Sequence, residues 1–519
     1  MKLTILADIH GNLPALKAVL RHAQGRGATE RILNLGDATG YGPFPNKIVN
    51  GMHDVRWVNI LGNYDKKAVS KANKEDGWKK VNTPDKRAMF DWTYHALSKR
   101  ARKFLRALPE SRQVTLGGKT ILMTHGSPAS HTEHLLPETP QSRFEALAEL
   151  AGVDIVLCGH SHQAFTRQVG ETLFINPGSL GRPDDGDPRA SYAILTMDGD
   201  DLRVEHFRVP YDLMPSVRKL RRSGLPLVFT QVVRQGLNYD DVVDQFGADS
   251  DPTMLDPCGT VTLMTDFGLQ DHFIGVMKGV IARIAPQAKV IDISHQVQPQ
   301  NIQDGARMLA EAAPYFPAGA VHVAVVDPGV GTSRRAIAAR IGDQFFVAPD
   351  NGLLTPVLEA AEAAGEPIAA VELDRPAYWL PDPSSSFHGR DIFSPAGAHL
   401  VNGVPLNVLG TPLADPVRIE KTAPVRTENG WEAEVVWVDV FGNLSTNLTE
   451  DQLPADKDTI TLQIGDETLN GVAHTFANAK PGSLTAIIDS SGHLAIAVVN
   501  GSAAERLGVG LGGKVTVTH

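Results

Sequence analysis

Leu3-Thr4-Ile5-Leu6-Ala7-Asp8-Ile9-His10-Gly11-Asn12 decides how the first half of this chain is read. Five apolar or β-branched residues form a buried strand. The run then stops on a carboxylate and an imidazole beside a glycine. The same design recurs downstream. Asp37 follows Arg31–Leu35, Asn63 follows Val55–Leu61, and His125 follows Thr120–Thr124. His160 and His162 follow Val153–Cys158. Stretches with helical spacing, Leu13–Ala23 and Arg143–Ala151, lie between strands, so the half reads as an α/β sandwich. Ligands of open α/β sheets collect at the carboxyl ends of the strands. Asp8, His10, Asp37, Asn63, His125, His160 and His162 should therefore converge on one rim.

A single histidine or aspartate at a strand end is ordinary surface polarity. Seven in this order and chemistry are not. Carboxylate, carboxamide and imidazole together suit two divalent ions such as Mn, Fe, Zn or Ni. Two ions sharing Asp37 would supply an activated water for in-line attack on phosphorus.

On Asp8-Ile9-His10, Gly36-Asp37, Gly62-Asn63-Tyr64-Asp65, Thr124-His125-Gly126 and Gly159-His160-Ser161-His162, residues 1–210 resemble the calcineurin-like metallophosphoesterases. Gly36–Pro45 and Asn176-Pro177-Gly178-Ser179 look like that family's bacterial phosphodiesterase branch. The resemblance implies that Asp8, His10, Asp37 and His162 hold one ion, and Asp37, Asn63, His125 and His160 the other. One position departs from the pattern. Tyr64 stands where many members carry a histidine that protonates the leaving group. A phenol with a pKa near 10 is a poor donor at neutral pH, so a slow enzyme, or one limited to good leaving groups, is expected. His131 and His134 are loop candidates for the missing acid.

Residues 237–259 are crowded with Asp240, Asp241, Asp244, Asp249, Asp251 and Asp256, and contain Pro252 and Pro257. That composition predicts a linker unable to bury a core. At Thr260 the α/β pattern restarts, with strands at Val261–Thr265, Lys289–Ile293, Ala320–Val326, Gln344–Val347 and Ile368–Leu373. From about residue 424 only short strands between Gly, Asn, Asp and Ser turns remain, as in a small all-β barrel or sandwich. The expected organisation is a domain over 1–236, a linker over 237–259, an α/β subdomain over 260–423 and a β subdomain over 424–519.

Strand-end motifs mark the second half too: Asp266-Phe267-Gly268, Ser294-His295, Asp327 through Arg334, Asp350-Asn351-Gly352, Phe387-His388-Gly389-Arg390-Asp391 and Asp439-Val440-Phe441-Gly442-Asn443. Together they resemble the S-adenosyl-L-methionine (SAM) hydroxide adenosyltransferases, relatives of fluorinating and chlorinating enzymes. The resemblance implies that Asp327, Arg334 and His388 surround a reacting water. It also implies substrate binding by Asp266, at the ribose diol, and by Asp439, Asn443 and Ser490, at the methionine end or adenine. Phe267 and Phe441 count with that set. Attack at the ribose C5′ expels a neutral thioether, so no general acid and no cofactor is needed; an aligned, partly desolvated nucleophile is. The alternative is halide transfer, disfavoured by the negative charge Asp327 would place beside the anion. A homotrimer, or a multiple of three, is implied by the same resemblance. A second alternative, for the first half, is a metal domain that senses nucleotides.

Bulk composition narrows the rest. The 519 residues carry a formal charge of −10 and are 42% hydrophobic, which excludes disordered or fibrous chains and offers no general nucleic-acid surface. The Lys-rich segment Lys66–Lys103, with Trp78, Trp92 and Tyr94, reads as a helical cap over the metal site. Two cysteines, Cys158 and Cys258, exclude a disulfide framework. No signal peptide and no run long enough for a membrane span is seen. A cytoplasmic enzyme acting on SAM and on a small phosphoester is expected.

Overall fold

The computed structural model describes residues 1–54, 56–70, 81, 83–247, 255–420 and 422–519. Trp78, Asp249, Asp251 and Pro252 lie outside the described residues.

The first half builds two five-stranded sheets. One runs in the order Asp201–Val209, Ala190–Asp198, Lys2–Leu6, Arg31–Asn34, Trp57–Asn59. The other runs Ser111–Leu116, Lys119–Thr124, Ile155–Leu157, Thr172–Pro177, Ala164–Val169. Side chains alternate across each strand. Leu3 and Ile5 meet Ile121, Met123, Ile155 and Leu157 in one core between the sheets. Leu6 turns to the opposite face, where the helix Leu13–Gly25 buries Leu16 and Val19. Helix Gln141–Ala151 covers the far sheet with Phe144 and Leu147. Strands Lys2–Leu6, Arg31–Asn34 and Trp57–Asn59 are mutually parallel, as are Lys119–Thr124 and Ile155–Leu157. Their carboxyl ends therefore deliver loops to a common edge.

The second α/β part is a seven-stranded sheet in the order Lys289–Ser294, Thr260–Thr265, Val321–Val325, Gln344–Pro349, Ala336–Ile341, Ile368–Glu372, Thr411–Leu413. Its first four strands are parallel. Helix Ser394–Val401 lies on it so closely that a Cβ at Gly397 would stand 2.5 Å from Val323 Cγ2. By compactness the chain divides into two units. One holds Met1–Pro299, Tyr315–Asp350 and Leu358–Pro416, so both α/β parts fall in it. Met214, Val217 and Val232 share one apolar cluster with Val321, Ala398 and Leu400.

The other unit holds Gln300–Pro314, Asn351–Val357 and Val417–His519. Its antiparallel sheet runs Glu467–Asn470, Thr461–Ile464, Lys514–Thr518, Gly430–Val438, Leu444–Thr449, His493–Val498, Leu484–Ile488. An isolated bridge from Ala473 to Ile487 nearly closes it into a barrel around Val435, Leu462 and Ile496.

The acidic stretch after residue 236 differs from expectation. Residues Tyr239–Phe246 form a helix capped by the Asn238 side chain, and Tyr239 and Val242 are buried. Two apolar residues three apart, with a good N-cap, outweigh the carboxylates on the opposite face. Asp256 is likewise anchored, paired with Arg221 and the buried Arg234. Among the described residues no helix is long and apolar enough to cross a membrane.

Two buried histidines couple stability to pH. His322 accepts or donates at 2.8 Å to Thr262, and burial pushes it down to about 4. Burial, helped by Arg189, pushes His399 down to about 3. Both titrate near 6.5 when unfolded, so their contribution is complete above that pH and is lost as pH falls towards the folded values. Stability should drop by about 1.4 kcal/mol per pH unit for each histidine below pH 6.5. Denaturant titrations of the wild type and His322→Gln at pH 7.5 and 5.0 measure this. An equal pH dependence in both proteins would refute it.

Candidate active sites

The predicted metal ligands meet at the sandwich edge. Asp8, His10 and His162 offer ligand atoms within 4.8 Å of one another, and so do Asp8, Asp37 and His125. His125 Nε2 stands 2.9 Å from Asn63 Oδ1, and the His160 ring lies 5.0 Å from that of His125.

Each carboxylate spends one oxygen on backbone. Asp8 Oδ2 accepts the His160 amide at 3.0 Å, and Asp37 Oδ1 accepts that of Tyr64 at 2.7 Å. Their other oxygens face imidazoles: Asp8 Oδ1 is 3.4 Å from His162 Nε2, and Asp37 Oδ2 is 3.4 Å from His125 Nε2. The imidazoles are tied in the same manner. Nδ1 of His10 contacts Thr39 O at 3.2 Å, Nδ1 of His125 contacts Leu35 O at 2.8 Å, and Nδ1 of His162 contacts Asp184 at 3.2 Å. A proton held on Nδ1 of His10 and His125 by these carbonyls would turn the Nε2 lone pair inward, as a metal ligand requires.

Two observations show that these residues fit divalent ions. Among the described residues Asp8 Oδ1 is buried without a hydrogen-bond partner, and His10 Nε2 faces His162 Nε2 at 3.3 Å. Opposed lone pairs and an orphaned carboxylate oxygen need a cation between them. Charge agrees. Burial pushes the Asp8 carboxyl up, but His162 and its neighbours outweigh it and hold it at about 2. Burial pulls His125 down, but Asp37 outweighs it and raises it to about 9, so an ion bound there must displace a proton from Nε2.

The backbone pays for this convergence. Asp8, His10, Asp37, His160 and His162 all have φ between 45° and 68°. Left-handed conformations at non-glycine residues cost of order 1 kcal/mol and cluster at functional sites. Gly62 permits the approach of two ligand loops; a Cβ there would stand 2.1 Å from the Asp37 amide nitrogen.

In the second α/β part, Asp327, Arg334 and His388 come together. Arg334 Nε donates to Asp327 Oδ1 at 2.8 Å and to Oδ2 at 3.0 Å, and Nη2 closes the fork on Oδ2. Nη2 also donates to His388 Nδ1 at 2.9 Å. Burial, then Arg334, lowers the His388 pKa. His388 precedes a π-helical turn, Gly389–Phe393, that runs into helix Ser394–Val401. Phe267 lies 6.0 Å from Phe387 by ring centroids, and Asp266 follows strand Thr260–Thr265 on the same sheet edge. A Cβ on Gly389 would stand 3.3 Å from Phe267, Phe387 and Met277.

In the β unit, Asp439, Phe441 and Asn443 share one turn. Asp439 Oδ1 accepts the amides of Phe441 and Asn443, and its Oδ2 accepts the Asn443 side chain at 2.8 Å. Ser490 sits in the turn after strand Leu484–Ile488, beside Asp489, which accepts from Ser445.

Sequence profiles place these sites in families. The SAM hydroxide adenosyltransferase N-terminal domain matches residues 261–410 and its C-terminal domain matches 433–516. The calcineurin-like phosphoesterase superfamily domain matches residues 1–200. An (R)-S-adenosyl-L-methionine hydrolase of Salinispora tropica is 44% identical over 265 residues, half of this chain and 98% of that protein. The chain belongs to the SAM hydroxide adenosyltransferase family, with a calcineurin-like phosphoesterase domain fused ahead of it. An uncharacterized protein of Methanocaldococcus jannaschii is 31% identical over 241 residues, covering 43% of this chain and 93% of its own length. A fluorinase of Nocardia brasiliensis is 29% identical over 275 residues, covering 46% and 89%.

Sequence reading did not single out three residues of the phosphoesterase site. Asp65 is fully buried and accepts from Ala38 and Thr39, stapling the loop behind Asp37. Asp184 holds His162. Arg182 lies 3.2 Å from His162 Nδ1, over the Tyr41 ring at 4.4 Å, with its Nε buried and unpartnered. The only signal for the last two was their place after Asn176-Pro177-Gly178-Ser179. Tyr64 packs on Phe90 of helix Pro84–Ala96, and burial, then Tyr41, pushes its hydroxyl well above the usual range.

Proposed function

We propose that the adenosyltransferase half hydrolyses SAM to adenosine and L-methionine. The observation that carries this reading is the Asp327–Arg334–His388 network. Arg334 has no acceptor atom, so its contact obliges His388 Nδ1 to accept. The neutral imidazole then keeps its proton on Nε2 and orients a water by donating to it. Asp327 is left as the proton acceptor, fixed in place by the guanidinium fork. The hydrogen bonding thus favours the carboxylate over the imidazole as the acceptor. The C5′–S bond breaks as the C5′–O bond forms, and the sulfonium charge is discharged on the leaving thioether. Asp266 and Phe267 would hold the nucleoside, and Asp439, Phe441, Asn443 and Ser490 of a neighbouring copy in the trimer the remainder of the substrate. Incubation with SAM in H₂¹⁸O is expected to place the label at the 5′ oxygen of adenosine. A 5′-halo-adenosine from chloride buffer would overturn the reading in favour of halide transfer.

The phosphoesterase domain is proposed to cleave a small phosphoester with two divalent ions, Mn, Fe, Zn or Ni. When bound, the ions supply Lewis acidity to the phosphoryl oxygens and the nucleophile. Asp8, His10, Asp37 and His162 would hold one and Asp37, Asn63, His125 and His160 the other. Arg182 offers a cation to the phosphoryl group, and Tyr64 restricts the reaction to good leaving groups.

A cytoplasmic homotrimer, or a multiple of three, completes the reading. It is supported by the exposure of Val440 and Phe441, 93% and 72%, on the turn that carries Asp439. Sedimentation at a monomer mass would remove it.

A further inference from the structure

A cleft of about 910 Å³, lined by none of the residues of the two sites above, opens in the unit that holds both α/β parts. Small-molecule sites span about 300–1,000 Å³. Six cationic side chains line it: Lys17, Arg21, Lys47, Arg189, Arg208 and Arg283, against one carboxylate, Asp212. Arg189 and Arg208 are balanced by Asp187 and Asp185. Lys17, Arg21 and Arg283 have no carboxylate partner among the described residues. In a protein of net charge −10, such a concentration of unbalanced positive charge marks an anion site.

Charge is not the only signal. Trp379 and His399 also line the cleft, and among the described residues Trp379 Nε1 and His399 Nδ1 are buried without a hydrogen-bond partner. His399 is 4% exposed. A buried polar atom left unpaired costs about 1–3 kcal/mol, so a side-chain shift that turned either atom to an occupant of the cleft would recover that cost. Leu13, Val280, Ile284 and Leu380 supply apolar walls. A bare anion would leave those walls and the indole unused. A heterocycle would cover the walls and offer a ring acceptor to Trp379, while its phosphates met the cations.

We propose that this cleft, lined by none of the residues of either catalytic site, binds a heteroaromatic phosphate ester of nucleotide size. The probe is ADP, titrated calorimetrically into the full-length chain after EDTA treatment. The Arg21→Glu/Arg283→Glu pair is expected to weaken ADP binding by at least about tenfold, with SAM turnover in the absence of ADP unchanged. Trp379→Phe keeps an aromatic face, removes the N–H with the five-membered ring and should weaken ADP by about fivefold. Inorganic pyrophosphate should bind at least about tenfold more weakly than ADP. If charge reversal unfolds the chain, the Arg21→Gln/Arg283→Gln pair, expected to weaken ADP by at least about threefold, replaces it. No ADP binding by the wild type would overturn the proposal. So would binding unaffected by the arginine variants, which would locate ADP in the adenosine pocket, or pyrophosphate binding as tight as that of ADP, which would leave an anion site alone.

Discussion

Asp327→Asn is expected to lower kcat for SAM by about 10³ while leaving KM within about threefold. The amide is nearly isosteric but cannot take up a proton. Arg334 would keep a neutral acceptor in place of a charged one, and His388 Nδ1 would still accept from Nη2. Substrate binding draws on other groups, so the loss should fall on kcat. His388→Ala removes only an orienting donor and should cost about 10². Adenosine release followed by chromatography gives both constants. A kcat for Asp327→Asn within tenfold of wild type would show that the water needs no carboxylate and would sink the assignment. A KM that rises with kcat unchanged would move Asp327 from the reaction to the binding of the ground state.

That experiment tests the part of the molecule the sequence displayed best. Runs of alternating apolar residues announce strands, and the polar residue that ends each run announces a site. Asp8, His125 and Asp327 stand out in the sequence as strand-end residues for that reason. The supporting contacts do not. Asp184 holds His162 across a gap of 22 positions, and no local pattern reports which imidazole nitrogen is bonded. The left-handed backbone at Asp8, His10 and Asp37 was equally hidden, because neither residue type demands positive φ. Only the surrounding packing imposes it. In the helix Tyr239–Phe246 the acidic composition masks the spacing: Tyr239 and Val242 are both buried, three positions apart. The cationic cleft was beyond reading as well. Arg21 and Arg283 are remote in sequence and only the fold brings them to one surface.

Asp37→Asn should remove phosphodiester cleavage and leave SAM hydrolysis intact. Asp37 is the one carboxylate assigned to both ions, so losing its charge weakens both coordination shells at once. Metal analysis of the purified full chain should fall from two ions per chain to one or none, and cleavage of bis(p-nitrophenyl) phosphate with added Mn²⁺ should fall by at least about 10³. The choice of asparagine separates chemistry from folding. Asp37 Oδ1 accepts the Tyr64 amide at 2.7 Å, and the carboxamide oxygen can keep that bond. Asp37→Ala cannot, and should additionally destabilise the domain by about 1–3 kcal/mol. If the asparagine variant kept both ions and cleaved within tenfold of wild type, the two-ion reading of this site would fail. Unchanged SAM turnover in the same sample would show that the loss stays within the phosphoesterase domain, because Asp327 and its partners share no residue with the metal site.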